Sequence, residues 1–311
     1  KIDKFEFDLK ISDKKDTEIN TEDLSAVEMN LLGVYILLWI SKASNRIGAI
    51  IEGVNLNEEL SKDTIQEIYN AFLKYQVIFF KDQNLTKNEY LSFATKIGKP
   101  IKYPFVKGLK NIPEITPILK KETDVNNFGG IWHSDTSYLN EPPKGTMLYA
   151  IEVPKIGGDT EFSNQYIAYE SLSDEMKAFL DNKKALNISG KEETTKTRSD
   201  LRKHSSTEIK SDELQAIHPV VRIHPETKKK SLYINIAHTR NFIGMSIKES
   251  APILKTLFKH QIKPEFTYRF KWEIGSIAIW DNRCTLHNPI NDYHGERRLM
   301  HRITFKGDKP I

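Results

Sequence analysis

The sequence predicts a mainly β protein with flanking helices, a double-stranded β-helix of the jelly-roll, cupin-like type. Three observations carry this. The last third of the chain is a succession of short apolar runs separated by turns, as paired strands require. Helical periodicity is confined to a few short segments. Strands and helices do not alternate in β-α-β fashion, which argues against a doubly wound sheet and for a double-sheet barrel.

The elements follow in order. Residues 1–45 are an atypical N-terminal segment: a polar stretch over 12–23, then an apolar run over 31–40. That run is shorter than the ~20 residues a membrane span needs, so no membrane partner is expected. A strand and turn are read over 47–56. Ile65, Ile68, Ala71 and Phe72 recur at helical spacing over 63–74. Val77-Ile78-Phe79-Phe80 is a short buried strand. Thr86-Lys87-Asn88-Glu89 is a capping box opening a second helix with Tyr90, Phe93, Ala94 and Ile97 inward, ended by Gly98 and Pro100. Residues 147–151 read as a strand, Gly157-Gly158-Asp159-Thr160 as a turn, and 167–170 and 174–182 as helices. Residues 183–215 are polar and irregular, a possible lid insertion. Strands over 216–224 and 231–236 flank a Lys-rich hairpin tip. A second capping box, Ser246 to Glu249, opens a helix through 260, and strands follow over 266–272, 275–280 and 298–305.

Composition narrows the class. The 311 residues are 39% hydrophobic and 28% charged, ordinary for a folded soluble chain with a sizeable core. A net charge of +4 from 46 basic and 42 acidic residues, with no basic stripe, gives no nucleic-acid footprint. The single cysteine, Cys284, excludes an intrachain disulfide and makes a reducing cytoplasm the simplest home. It reads as a small buried residue in a core strand. The N-terminus, Lys-Ile-Asp-Lys-Phe-Glu, shows no secretory signal and does not begin with Met.

With 9 His and 42 acids in 311 residues, about one His-x-acid pair is expected by chance. There are three. His294 has little chain after it to supply another ligand. His224 precedes Pro225 and a polar turn, a loose hairpin tip. His133 and Asp135 follow Phe128-Gly129-Gly130-Ile131-Trp132, where glycines permit close backbone approach and bulky residues can wall a dry pocket. Residues i and i+2 of a strand share a face, so His133 and Asp135 at a strand end can grip one metal with Ser134 turned away. With His287 on a late strand they form a two-His-one-carboxylate set, which leaves open positions on a non-haem Fe(II). A closed structural zinc wants four ligands, usually Cys-rich.

Arg298, Met300 and Arg302 share one face at period two. Turned inward, each guanidinium would need an anion, and its fork matches a carboxylate or sulfonate. The opposite arrangement, with Leu299, His301 and Ile303 inward, fits the alternation equally well.

The chain resembles the taurine and phenoxyacetate-herbicide dioxygenase family of Fe(II)- and 2-oxoglutarate-dependent oxygenases. The resemblance covers residues 46–311, which reads as a single domain of that kind. It rests on Arg46-Ile47-Gly48-Ala49, Phe80-Lys81-Asp82-Gln83-Asn84-Leu85-Thr86, Trp132-His133-Ser134-Asp135, Glu141-Pro142-Pro143, Gly157 to Thr160, Ile279-Trp280-Asp281-Asn282-Arg283, His287 and Arg297 to Arg302. It implies that His133, Asp135 and His287 bind Fe(II), that Thr160 and Arg298 hold the distal carboxylate of 2-oxoglutarate, and that Arg302 faces an acidic group of a small anionic organic substrate. It also implies O2 as co-substrate, oxidative decarboxylation to succinate and CO2, hydroxylation of an unactivated carbon, and a homo-dimer or homo-tetramer. Asp135 favours hydroxylation, since related halogenases lack that carboxylate. A hydroxylated alkylsulfonate would fall apart to an aldehyde and sulfite.

Taurine enzymes of the family resemble His-Pro-x-Tyr where this chain has Tyr103 to Val106, carry Asn where it has Gly129, and carry Phe where it has His238. Tyr103, Gly129 and His238 are therefore the expected substrate-binding positions, with a roomier or less polar pocket. Tyr103 and His238 can donate to an anion, or merely pack in the wall. An alkylsulfonate is expected, with a sulfate ester or an aryloxy- or other carboxylate as alternative. A cupin-like binding protein without turnover and a zinc hydrolase are the competing classes; the hydrolase leaves Thr160 and Arg298 without a task.

Overall fold

A computed structural model describes residues 38–192, 194 and 214–311, with the two-residue strands β1 (Ile11–Ser12) and β2 (Glu18–Ile19). The chain divides into two compact units, Lys1–Leu38 and Trp39–Ile311. In the first, β1 and β2 pair antiparallel. The apolar run over 31–40 lies largely outside the described residues. Its end, Trp39 and Ile40, falls in the edge strand β3 (Trp39–Lys42) of the second unit, where Trp39 is exposed.

The second unit is built on an eight-stranded sheet. Its strands are β3, β4 (Ala49–Glu52), β5 (Val77–Phe80), β6 (Pro100–Ile101), β7 (Thr116–Lys120), β8 (Gly145–Glu152), β16 (Ile277–Asp281) and β18 (Arg298–Phe305). The spatial order is β3-β4-β5-β16-β8-β18-β6, with β7 also paired to β18. A smaller sheet packs on it, ordered β15 (Thr267–Phe270), β9 (Thr160–Asn164), β17 (Thr285–Pro289). Phe79 of the large sheet stacks on Phe270 of the small one at 4.1 Å between centroids, and Phe162, Trp280 and Met300 fill the same core. This is the jelly-roll arrangement the sequence predicts. One departure is local: β4 and β5 pair in parallel across helix α1 (Lys62–Tyr75), a single β-α-β unit that the strand-rich text concealed.

Helices α1 and α2 (Lys87–Ile97) cover the outer face of the large sheet. The predicted capping box at Thr86 and Glu89 is present, and Tyr90, Phe93, Ala94 and Ile97 are buried. The Tyr90 hydroxyl donates to the carbonyls of Met147 and His301, pinning α2 to β8 and β18. This double cover buries all of β5 and nearly all of β18.

A second core gathers α3 (Gln165–Glu170), α4 (Asp174–Leu180) and α5 (Ile247–Gln261) around β10 (Lys184–Ile188), β11 (Gln215–Pro219), β12 (Val221–Ile223), β13 (Lys230–Leu232) and β14 (Thr239–Phe242). The α5 capping box, Ser246 with Glu249, is present. The single strand expected over 216–224 is two strands: β11 pairs β10, and only β12 forms the hairpin with β13. The expected lid over 183–215 begins and ends as the paired strands β10 and β11. Residues 193 and 195–213, where the rest of that expectation falls, lie outside the described residues.

His224 is no loose hairpin residue. It is fully buried, its Nδ1 accepts from the amides of Glu226 and Thr227, and its Nε2 faces Asp281 at 3.0 Å. His224, Asp281 and Cys284 form a cluster, but Asp281 is held by the Arg283 guanidinium at 2.8 and 2.7 Å, so these donors are spent on one another. Cys284 is buried as expected, though in the turn before β17 rather than in a strand. Burial alone would raise the Asp281 carboxyl; Arg283 and His224 outweigh it and hold it below the usual carboxylate range. Its charge therefore contributes stability above the unfolded carboxylate pKa, lost as pH falls through the lower folded value. Asp281→Ala is expected to destabilise the metal-free protein by about 3 kcal/mol, because it removes the buried partner shared by Arg283 and His224 and leaves Arg283 the half-buried Glu226, at 2.6 Å. A urea midpoint within error of the parent would contradict this.

Candidate active site

Two backbone hydrogen bonds assemble the site. His133 and His287 form an antiparallel bridge, with N–H to O distances of 3.0 and 2.9 Å, so the segment carrying His133 extends the edge of β17. The expected strand at 133–135 is only this one bridge. Asp135 lies in the turn that follows, and Thr136 takes a positive φ of 41°. The turn still brings the ligand atoms together. Asp135 Oδ1 is 3.7 Å from His133 Nε2 and 4.0 Å from His287 Nε2, and the three residues are a cluster able to hold one metal ion. Ser134 turns away as expected and donates to the Asn282 carbonyl at 2.7 Å.

The surroundings prepare each group. His133 Nδ1 lies 2.6 Å from the Ile131 carbonyl, a contact that places a proton on Nδ1 and turns Nε2 toward Asp135. Burial, then the neighbouring His133, lowers the His287 pKa well below the usual histidine value, so it is a neutral donor. Burial alone would raise the Asp135 carboxyl. Arg302, at 3.0 Å, outweighs it, with help from the Thr146 hydroxyl, and the carboxylate stays charged.

Asp135 Oδ2 accepts from Thr146 at 2.6 Å and from Asn282 Nδ2 at 3.2 Å. Asn282 in turn accepts from Trp280 Nε1 at 3.1 Å. Reading the sequence missed Thr146 and Asn282. The Trp280-Asp281-Asn282-Arg283 motif was the available signal, but nothing in it says that the amide returns to Asp135.

The arginines point inward. Arg298 and Arg302 are each 5% exposed, and one cavity is lined by His133, Asp135, Thr160, His287, Arg298 and Arg302. Nε and Nη2 of Arg298 have no hydrogen-bond partner among the described residues. Burial lowers its pKa, with the Tyr293 phenol as the nearest compensation. The Thr160 hydroxyl accepts from Trp272 Nε1 at 3.0 Å.

Tyr103, Gly129 and His238 line the adjoining cavity with His133, Asp135 and Thr136. The Arg302 guanidinium lies 4.6 Å above the Tyr103 ring. Gly129 has φ 78°, and a Cβ there would come within 2.9 Å of His133 Cε1. Its bare backbone thus clears the His133 ring itself, a tighter reason for glycine than extra room for substrate. A concavity of ≈ 580 Å³ lies along α5 and its lining includes none of the predicted site residues.

Comparison with known proteins agrees with this geometry. The model of the taurine catabolism dioxygenase TauD, TfdA family matches residues 39–304. The chain belongs to this family. It is 33% identical over 276 residues to the alkylsulfatase of Acinetobacter baylyi, covering 87% of this chain and 86% of that protein. Its fold matches the crystal structure of a putative alpha-ketoglutarate-dependent taurine dioxygenase from Burkholderia xenovorans with a TM-score of 0.76 and 32% identity, over 88% of this chain and 94% of that one. The crystal structure of AAD-2 in complex with Mn(II) and N-oxalylglycine matches with a TM-score of 0.71 and 27% identity, over 88% of this chain and 99% of that one.

As a TauD, TfdA family member the protein is a non-haem iron dioxygenase that uses Fe(II), 2-oxoglutarate and O2. The residues present fit these groups. Two imidazoles and a charged carboxylate suit a divalent iron, and a buried guanidinium with two nitrogens unpartnered among the described residues suits a carboxylate. No helix among the described residues is long and apolar enough to cross a membrane.

Proposed function

We propose that this protein hydroxylates the carbon bearing a sulfur oxyanion on a small alkyl chain, an alkylsulfonate, which then separates into an aldehyde and sulfite. The observation that carries this reading is Arg302: buried, 3.0 Å from the carboxylate of Asp135, with Nε unpartnered among the described residues and Tyr103 under its plane. An anionic head held there sets the neighbouring carbon beside the metal ligands.

In this reading His133, Asp135 and His287 hold the iron, and Thr160 and Arg298 hold the distal carboxylate of 2-oxoglutarate. The bound iron, with 2-oxoglutarate and O2, supplies the oxidising power that inserts one oxygen atom into a C–H bond while 2-oxoglutarate becomes succinate and CO2. The chain's own groups supply position and dryness. Thr146 and Asn282 keep Asp135 Oδ1 turned to the metal side. Trp280 packs on the His287 ring at 4.7 Å and Phe128 lines the cavity, excluding water. Arg302, Tyr103 and His238 orient the substrate, with Gly129 leaving His133 unobstructed.

The likeness to an alkylsulfatase favours a second reading, an alkyl sulfate ester, whose hydroxylated product releases sulfate instead of sulfite. An aryloxy- or other carboxylate remains the alternative head group for Arg302. The single cysteine supports a cytoplasmic enzyme, and the family resemblance a homo-dimer or homo-tetramer.

The test is succinate formation by iron-loaded protein with 2-oxoglutarate, ascorbate and O2, across alkylsulfonates, alkyl sulfates and aryloxy- and alkylcarboxylates. Stimulation by sulfonates with stoichiometric sulfite is expected. Sulfate release from esters alone would establish the second reading, and stimulation by carboxylates alone would sink both.

A further inference from the structure

Strand β7 carries a buried cation, Lys120, directly opposite Arg298. Arg298 of β18 is paired in register with Lys120 of β7, Met300 with Ile118 and Arg302 with Thr116. Residues directly opposite one another on paired strands project from the same face of the sheet. Ile118 lines the metal-site cavity, so the face of β7 carrying Thr116, Ile118 and Lys120 is the one turned toward it.

Lys120 is 4% exposed. Its ammonium donates one long hydrogen bond, 3.5 Å, to the Tyr293 carbonyl and lies 4.6 Å from the centre of the Tyr293 ring. Arg298 meets the same residue from its own strand, at the Tyr293 phenol. Two buried cations therefore flank one tyrosine. The neighbouring acids are engaged elsewhere: Asp159 and Asp292 with Arg269 at 2.7 and 3.1 Å, and Glu152 with Arg297 at 2.7 Å. Burying two cations against one tyrosine is costly unless an anion joins them.

We propose that Lys120 is a second cation of the co-substrate carboxylate site, which adds attraction for the distal carboxylate and holds Tyr293 against Arg298. The inference rests on the reading that Arg298 receives that carboxylate. It makes Lys120 a positioning residue whose effect is confined to ligands with a distal carboxylate. Lysine suits the place because its compact charge can sit on a ring face while the planar guanidinium of Arg298 makes the directional contact.

The test is calorimetric titration of Mn(II)-loaded protein with two probes. N-oxalylglycine carries a distal carboxylate and oxalate does not. In Lys120→Met, affinity for N-oxalylglycine is expected to fall about tenfold, the effect of one weakened charge-assisted contact, with oxalate affinity unchanged. The metal-free variant should melt at the parent temperature or above it, because an uncompensated buried charge is gone. Lys120→Arg should recover part of the N-oxalylglycine affinity.

Equal losses for both probes, no loss for either, or a variant that fails to fold would show that Lys120 is a structural lock and overturn the proposal. Arg298→Met separates the two levels. If that variant also binds N-oxalylglycine normally, the carboxylate-site reading itself fails. If it loses N-oxalylglycine while Lys120→Met does not, only the role of Lys120 fails.

Discussion

Asp135→Ala is expected to abolish 2-oxoglutarate-dependent succinate formation, a loss of at least about a thousandfold, equivalent to roughly 4 kcal/mol of transition-state stabilisation. Asp135 supplies the only carboxylate of the His133–Asp135–His287 cluster. Its removal takes away the negative charge that matches a divalent ion and leaves Arg302, 3.0 Å away, facing the metal site uncompensated. The Thr146 hydroxyl and the Asn282 amide lose their common acceptor as well. Loss of metal should therefore accompany loss of turnover, and Mn(II) titration of the variant reads it directly. Asp135→Asn keeps the volume and acceptors for those donors, so it separates charge from packing. Near-normal turnover in either variant would contradict the ligand assignment.

Arg298→Met is expected to weaken N-oxalylglycine binding to Mn(II)-loaded protein by about 3–5 kcal/mol, the range for truncating one member of a buried charge pair. The direction for the metal-free protein is the opposite. Arg298 there is buried with Nε and Nη2 unpartnered, so an apolar side chain of similar length removes a desolvated charge that has no carboxylate. The variant should melt at or above the parent temperature while its co-substrate affinity collapses. Stability and function move apart in this way only where a charge is kept for a ligand. A lowered melting temperature with unchanged N-oxalylglycine affinity would make Arg298 a structural residue and move the co-substrate site elsewhere.

Much of this was legible in the chain. The capping boxes at Thr86 and Ser246 stand where the text places them, because a cap is a contact over three residues and needs nothing beyond its own segment. Val77 to Phe80 is a strand to the residue. Local patterns failed where a distant partner decides. The stretch 216–224 carries one apolar run, yet β10 claims its first half and β13 its second, and no periodicity within the run marks the division. His224 looked like a loose tip because Asp281, its anchor, is far along the chain. The β-α-β unit at β4–α1–β5 escaped because periodicity names elements without giving their direction of pairing.

The site divides along the same line. The residue types His133, Asp135, His287, Arg298 and Arg302, in their order and spacing, determine which chemistry the protein can perform, since donor set and charge belong to the side chains. The face of β18 could not be read from its alternation, because helix α2 covers the outer side and both sets of side chains are buried. Tertiary structure alone turned Arg298 and Arg302 into the cavity lined by His133, Asp135 and His287, brought Asn282 back to Asp135 and set Lys120 opposite Arg298. Those relations depend on strand register and sheet packing, which join residues with no common period in the sequence.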